Sequence, residues 1–159
     1  MKKIPVKFLL HPVHFFALGF GSGFLPKAPG TLGTLAGVLV YLLIRDLPWI
    51  YYLGLVSLLF IVGIWICDFT ARALQVHDHP AIVWDEIVGY LVAMALSPPG
   101  PLWIGLGFVL FRVFDIFKPW PINILDKRLQ GGFGIMVDDL IAAIFSLTIL
   151  QIIAYILYT

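Results

Sequence analysis

The chain has 159 residues, of which 61% are hydrophobic and 12% are charged, and its net charge is +1. Soluble domains carry about 25% charged residues, so this composition excludes a soluble monomer, and the high aliphatic and aromatic content excludes disorder. The balanced charge provides no basic field for nucleic acid, which we do not expect as a partner. We predict an integral membrane protein with a single domain over residues 1–159.

The N-terminus and the lone cysteine are expected to be structurally ordinary. Residues Met1–Lys3 and the apolar stretch after them resemble the start of a signal peptide. His11 and Pro12 interrupt this stretch and no small-residue cleavage site follows, so we expect it to be retained. Cys67 cannot form an intrachain disulfide, and its apolar surroundings predict a buried, inert thiol.

Five apolar segments are predicted to be helices, because backbone polar groups in lipid must be hydrogen-bonded within the segment itself. They cover Thr31–Ile44, Trp49–Cys67, Ile82–Leu96, Leu102–Phe117 and Leu140–Leu157. The predicted fold class is therefore all-α, a polytopic membrane bundle of about five hydrophobic helices. The first and third segments are shorter than the ~20 residues that a crossing requires, so re-entrant or buried segments remain an alternative for these two.

The distribution of basic residues predicts the orientation of this bundle. If all five segments cross, one side holds the N-terminus and the predicted loops Asp68–Ala81 and Lys118–Val137, while the other side keeps only Arg45 among basic residues. The positive-inside rule then makes the first side cytoplasmic. Four crossings without the third segment would leave Lys127 and Arg128 outside, so five crossings are favoured.

The first polar motif is a Gly/Pro-rich turn, G-F-G-S-G-F-L-P-K-A-P-G-T-L-G-T, that covers Gly19–Thr34. Pro29 and Gly30 predict a helix start, with Thr31 as the candidate N-cap. The free N–H groups and positive dipole of a helix start bind anions, and Lys27 would add a positive charge. A tight turn with a capped helix is the structural alternative.

Three further motifs bring charged side chains into apolar surroundings. His77–Gly89 contains Asp85 and Glu86, and Phe111–Pro121 contains Arg112, Asp115 and Lys118 at spacings of three residues. In Gly131–Asp139 a predicted flexible glycine loop leads into Asp138 and Asp139. All acidic residues except Asp46 lie between Asp68 and Asp139, so the acidic charge is predicted to gather at the cytoplasmic face.

These carboxylates predict a divalent-metal site. Charges at membrane depth are costly and usually functional, and several carboxylates at one face would repel one another without a cation. Mg²⁺ prefers oxygen ligands and leaves positions for water and phosphate. The structural alternatives are an ion pair between Asp115 and Arg112 and N-capping by Asp138. His77 and His79 are softer ligands, and loop hydrogen bonding is the more ordinary role for both.

A metal ion, a helix start and basic side chains on one membrane face predict phosphoryl chemistry on a lipid headgroup. The residues leave open whether the enzyme hydrolyses or transfers. A lipid-headgroup transferase is disfavoured because the string D-x-x-D-G-x-x-A-R is absent. A small ion or solute transporter is disfavoured because the carboxylates cluster at one face without an internal repeat.

The four motifs, taken together and in this order, resemble the phosphatidylglycerophosphatase A family. The segments that carry the resemblance are Gly19–Thr34, His77–Glu86, Phe111–Ile122 and Gly131–Asp139. The resemblance implies a Mg²⁺-dependent, multi-pass phosphatase of the bacterial inner membrane, with its active face in the cytoplasm. Its implied substrate is the lipid phosphatidylglycerophosphate, which it converts to phosphatidylglycerol.

The resemblance does not divide the roles among the carboxylates, and the following roles are our expectations. Asp85, Asp115 and Asp139 are expected to bind metal, with Glu86 and Asp138 as further ligands or as the base that orients water. Substrate phosphate is expected to contact Lys27, Gly30, Thr31, His77, Arg112 and Lys118. Two tryptophans, Trp84 and Trp120, are expected to be interfacial anchors.

Overall fold

The computed structural model describes residues 4–76 and 79–158, apart from the side chains of residues 126 and 127. This part of the chain forms helices and turns and contains no β-strand, so the all-α prediction is confirmed. The α-helices are α1 (Pro12–Ala17), α2 (Pro29–Ile44), α3 (Trp49–Leu74), α4 (Trp84–Ala93), α5 (Pro101–Phe117), α6 (Ile122–Arg128) and α7 (Gly131–Tyr158). Short 3₁₀ helices cover Val6–Leu10 and Gly19–Phe24.

Two of these helices are long and apolar enough to cross a membrane. Within the described residues, only α3 and α7, with 26 and 28 residues, meet the criteria of length and composition. At ~1.5 Å per residue they measure about 39 and 42 Å, more than the ~30 Å of a bilayer's hydrocarbon core. Helices α2 and α5 have 16 and 17 residues, and α4 has 10.

Parts of the two loops predicted at Asp68–Ala81 and Lys118–Val137 are helical, which corrects two helix boundaries. Helix α3 continues to Leu74 and α7 already begins at Gly131, so the glycines of the fourth motif form the first turn of a helix. The Gly132 N–H donates to Asp68 Oδ1 at 3.2 Å, and a side chain on Gly132 would collide with the backbone of Ile64. These glycines therefore allow two helices to touch, where flexibility was predicted.

Helix α4, the third predicted segment, lies at the centre of the bundle. It packs against α2, α3, α5 and α7, and nearly all of its residues are buried. At its far end, Gln151 of α7 donates to the Leu96 carbonyl at 2.6 Å, and Trp103 Nε1 donates to the Tyr158 hydroxyl at 3.4 Å. The connection from α4 to α5 therefore lies at the end of α7 opposite to Gly131.

The N-terminal segment fixes the start of α4. The Val83 N–H donates to the carbonyl of Ala17 at 3.0 Å, and His14 on α1 is hydrogen-bonded to Thr70 on α3 at 2.9 Å. Burial, reinforced by the neighbouring His11, lowers the pKa of His14. The two contacts hold α1 between α3 and the segment that leads into α4.

The tryptophan prediction is wrong for Trp84, while the exposure of Trp120 is compatible with it. Trp120 is exposed, as an interfacial anchor should be, but Trp84 is buried and donates from Nε1 to the Leu59 carbonyl at 3.2 Å. The indole of Trp84 thus packs α4 against α3, because a side chain at the start of a central helix points into the bundle. Cys67 is buried as expected, with its sulfur 3.9 Å from Met136 Sδ.

Candidate active site

The site is built around the first turn of α4, which carries Asp85 and Glu86. The positive end of the helix dipole stabilises carboxylates at this position. Helix α2 lies directly against this turn because it has no side chain at Gly33 or Gly37. A Cβ on Gly33 would come within 2.6 Å of the Val83 side chain, and one on Gly37 within 3.2 Å of the Ile87 backbone.

Helix α7 brings the third carboxylate to the same point. A Cβ on Gly89 of α4 would lie 3.4 Å from the Cβ of Asp139, and within 2.8 Å of the Phe111 ring on α5. Gly89 thus lets three helices meet, a role that the sequence analysis did not assign to it. One oxygen from each of Asp85, Glu86 and Asp139 can be chosen so that all three lie within 4.8 Å of one another.

Two cations from α5 face these carboxylates. Arg112 forms an ion pair with Asp115 on its own helix, and its Nη1 lies 3.9 Å from Glu86 Oε1. Lys118, at the C-terminal end of α5, forms an ion pair with Asp138 of α7. The predicted pairing of Asp115 with Arg112 is therefore present, but it lies inside the carboxylate cluster. The predicted N-cap role of Asp138 is wrong, because α7 begins seven residues earlier.

The cluster is crowded with negative charge, and in the described part of the chain it leaves buried oxygen atoms without a hydrogen bond. Arg112 and Lys118 pair with Asp115 and Asp138, and Asp139 interacts electrostatically with Asp85, Asp115 and Asp138. Within the described residues, Glu86 Oε2 and Asp139 Oδ2 accept no hydrogen bond, although both atoms are buried. A buried polar atom without a partner costs about 1–3 kcal/mol. The arrangement thus favours a bound cation.

The start of α2 forms the wall of the site next to Glu86. A Cβ on Gly30 would collide with Glu86 Oε1 and lie 3.0 Å from the Arg112 guanidinium. The helix begins at Pro29, two residues before the predicted segment Thr31–Ile44, and Thr31 is not its N-cap. That position is taken by Ala28 in the left-handed conformation, at φ 49°, with no side-chain cap. Thr31 lies half-buried within the first turn of the helix.

The structure thus unites most of the predicted site residues. Gly30, Asp85, Glu86, Arg112, Asp115, Lys118, Asp138 and Asp139 converge from α2, α4, α5 and α7. Lys27 is exposed in the turn before α2. His77 lies outside the described residues. His79 is buried and accepts the Ala81 N–H at 3.2 Å, which is the local hydrogen bonding expected of a loop histidine.

The match to a known family covers the stretch of chain that contains all four motifs. The sequence model of the family described as phosphatidylglycerophosphatase A matches residues 15–154. A phosphatidylglycerophosphatase A of Escherichia coli is 44% identical over 146 residues, covering 91% of this chain and 85% of that protein. The Haemophilus influenzae protein of the same name is 43% identical over 157 residues, covering 98% and 94%.

A more distant relative carries a different name. A protein of Bacteroides thetaiotaomicron, provisionally named a phosphatidylinositol-3-phosphatase, is 33% identical over 142 residues, covering 84% of this chain and 88% of its own. No solved structure matches significantly. The family match and the two relatives above 40% identity confirm the resemblance seen in the motifs: the chain belongs to the phosphatidylglycerophosphatase A family.

Proposed function

We propose that this protein is a Mg²⁺-dependent phosphatase that hydrolyses the terminal phosphomonoester of phosphatidylglycerophosphate, releasing phosphatidylglycerol and inorganic phosphate. The observation that carries the proposal is the buried group Asp85, Glu86 and Asp139, whose ligand atoms lie within 4.8 Å, in a chain that belongs to this family. Family membership also decides against the transferase and transporter alternatives.

The donor set fits Mg²⁺. Carboxylate oxygens are the ligands that this ion prefers, and Glu86 Oε2 and Asp139 Oδ2 have no other partner among the described residues. Asp85, Glu86 and Asp139 would hold the ion, with Asp115 and Asp138 at the edge of the site. When bound, the ion would neutralise phosphate charge and lower the pKa of a coordinated water.

The cations and the start of α2 are proposed to bind the substrate phosphate. The planar guanidinium of Arg112 matches two phosphate oxygens, and Lys118 would supply a second positive charge. The N–H groups around Gly30 and Thr31 face an anion favourably at a helix start, and Lys27 would add charge at the rim. His77 is proposed as a further phosphate contact on the basis of its motif alone.

Hydrolysis then requires one water molecule held in line with the bond from phosphorus to the glycerol oxygen. Glu86 or Asp138 is proposed to orient this water and accept its proton. The water oxygen bonds to phosphorus while the bond from phosphorus to the glycerol oxygen breaks, and the leaving oxygen takes up the proton that the carboxylate accepted. Burial of the cluster excludes bulk water, which strengthens the contacts between the cations and the developing charge.

The active face is proposed to lie at the cytoplasmic side of a bacterial inner membrane, in a chain that crosses it five times. The hydrogen bonds of Leu96 and Trp103 to α7 support the proposed crossings of α4 and α5, because the connection between these two helices then lies at the far end of the bundle. Asp139 is eight residues from the start of α7, about 12 Å at ~1.5 Å per residue. That depth suits a headgroup that enters from the surrounding lipid.

The test is phosphate release from phosphatidylglycerophosphate by the purified full chain in detergent micelles, with Mg²⁺ and with EDTA. We expect release that EDTA abolishes and added Mg²⁺ restores. Release that is insensitive to EDTA would retain the phosphatase and refute the metal site. Phosphatidylinositol 3-phosphate serves as the comparison substrate, and faster release from it would refute the proposed headgroup.

A further inference from the structure

A second region of the molecule has the dimensions and polarity of a lipid site. Two cavities, of about 970 and 410 Å³, lie along helices α3 and α7, and Ile61 lines both of them. We call these two neighbouring cavities together the α3–α7 groove. None of the proposed metal ligands lines it, so it is separate from the candidate active site.

The polarity of the groove changes along its length. Its larger cavity is lined by Asp68, Arg72, Gln75 and Gln130, together with apolar residues that include Trp65. Its smaller cavity is almost entirely apolar, with Leu53, Phe60, Val92, Leu140 and Leu147 among its lining residues. Polar groups at the helix end and apolar groups farther in match the order of a phospholipid's headgroup and acyl chain.

The part of the groove between Arg72 and Ile61 fits one leaflet in length. Ile61 precedes Arg72 by eleven residues on α3, about 16 Å at ~1.5 Å per residue. This is close to half of the ~30 Å hydrocarbon core. Trp65 lies between them and is 58% exposed, where an indole at a membrane boundary would contact lipid.

The polar end of the groove can contact a headgroup phosphate. The Arg72 side chain is 80% exposed, so its guanidinium can contact phosphate while it keeps its 2.8 Å ion pair with Asp68. Asp68 is further engaged by the Gly132 N–H, which fixes the carboxylate on α7. Gln75 and Gln130 bring amide donors to the same cavity.

We propose that the α3–α7 groove binds one anionic phospholipid of the surrounding bilayer. Its headgroup phosphate contacts Arg72 and Gln75, and one acyl chain lies along Ile61 toward Leu147. The proposal requires the chain to be embedded in a bilayer, but it does not require the phosphatase reaction. Its test therefore measures binding without turnover.

The experiment is native mass spectrometry of the full chain after delipidation and titration with phosphatidylglycerol or phosphatidylcholine. Ile61→Trp puts a larger side chain into the lining that the two cavities share, and Ile61 is exposed enough to accept it. Leu58→Trp is the matched control, because Leu58 is similarly exposed on the same helix but lines neither cavity. Arg72→Gln tests the headgroup contact, with Arg45→Gln as its control.

We expect one tightly bound phosphatidylglycerol in the wild type and in Leu58→Trp, and none in Ile61→Trp. Arg72→Gln should weaken phosphatidylglycerol about fivefold, the effect of roughly one basic residue near a membrane surface, and weaken phosphatidylcholine less, because the choline ammonium offsets the phosphate charge. Equal retention by Ile61→Trp and Leu58→Trp would overturn the proposal. If Ile61→Trp instead slows hydrolysis of long-chain substrate and spares a short-chain one, the groove holds the substrate, and the proposed separate site is refuted.

Discussion

Helices α3 and α7 are both long and apolar, and both carry charged side chains near the same end of the bundle. The two sets of side chains differ in their exposure. On α3, Asp68 and Arg72 form an ion pair one turn apart, with the two side chains 28% and 80% exposed. On α7, Asp138 and Asp139 are only 6% and 3% exposed. An exposed pair costs little and contributes little, whereas buried adjacent carboxylates are expensive unless a cation compensates them. Asp138 is paired with Lys118, whereas Asp139 Oδ2 accepts no hydrogen bond among the described residues. Deep burial with incomplete compensation is thus what marks the site.

The largest expected effect follows from removing the most deeply buried of these charges. Asp139→Asn keeps the shape of the side chain and deletes a proposed metal ligand, so phosphate release should fall by at least about a hundredfold. The variant should remain folded, because losing one of several mutually repelling charges does not destabilise the apo protein. Phosphate release and thermal unfolding in detergent, each with and without Mg²⁺, measure both effects.

A second outcome of the same experiment concerns the metal alone. Mg²⁺ at 100 times its dissociation constant should stabilise the wild type by about 2.7 kcal/mol, and this stabilisation should be lost in Asp139→Asn. An Asp139→Asn variant with full activity and the full Mg²⁺-dependent rise in Tm would exclude Asp139 from the site.

An intermediate effect is expected from Gly30→Ala. Its new methyl group would collide with Glu86 Oε1, and displacing a catalytic group by about 1 Å can cost about a hundredfold in rate. Gly105→Ala on α5 is the matched control, since a Cβ there meets no atom within 4 Å. Phosphate release should fall about ten- to a hundredfold in the first variant and stay unchanged in the second. Equal rates would show that α2 does not confine Glu86 in the working enzyme.

The smallest effect is expected from Asp68→Asn, which tests the exposed ion pair on α3. It removes an exposed ion pair but keeps an oxygen that can accept the Gly132 N–H. The free energy of unfolding should change by less than about 1 kcal/mol, and phosphate release should stay within about twofold. A loss of activity as large as that of Asp139→Asn would show that exposure does not separate structural from functional charges in this protein.

The apolar segments of the sequence predicted the helical class, and the motifs predicted the charged residues that converge in the site. Their success has a physical origin, since isolated charges in apolar segments are rare and therefore informative. The predictions failed where a residue's role depends on the neighbouring helix that packs against it. Gly132 suggested a flexible loop because glycine favours loops in isolation, but the Ile64 backbone opposite it demands a residue without a side chain.

Two other errors have the same source. Thr31 is a good N-cap by residue type, but the chain turns earlier, through the left-handed conformation of Ala28. Trp84 was expected at the interface because indoles favour it, but its position at the start of the central helix directs it to the Leu59 carbonyl. The contact of Gly89 with both Phe111 and Asp139 leaves no signal in one sequence beyond a small residue in an apolar helix.

The hydrogen bond from the Val83 N–H to the Ala17 carbonyl has a practical consequence for tagging and truncation. A fusion ahead of residue 4 leaves this bond intact. A deletion through Leu18 would retain every acidic residue of the cluster and every long apolar helix, yet it would remove the main-chain acceptor that positions the first turn of α4. The short segment before the first long helix therefore helps to position Asp85 and Glu86, which lie more than sixty residues later in the chain.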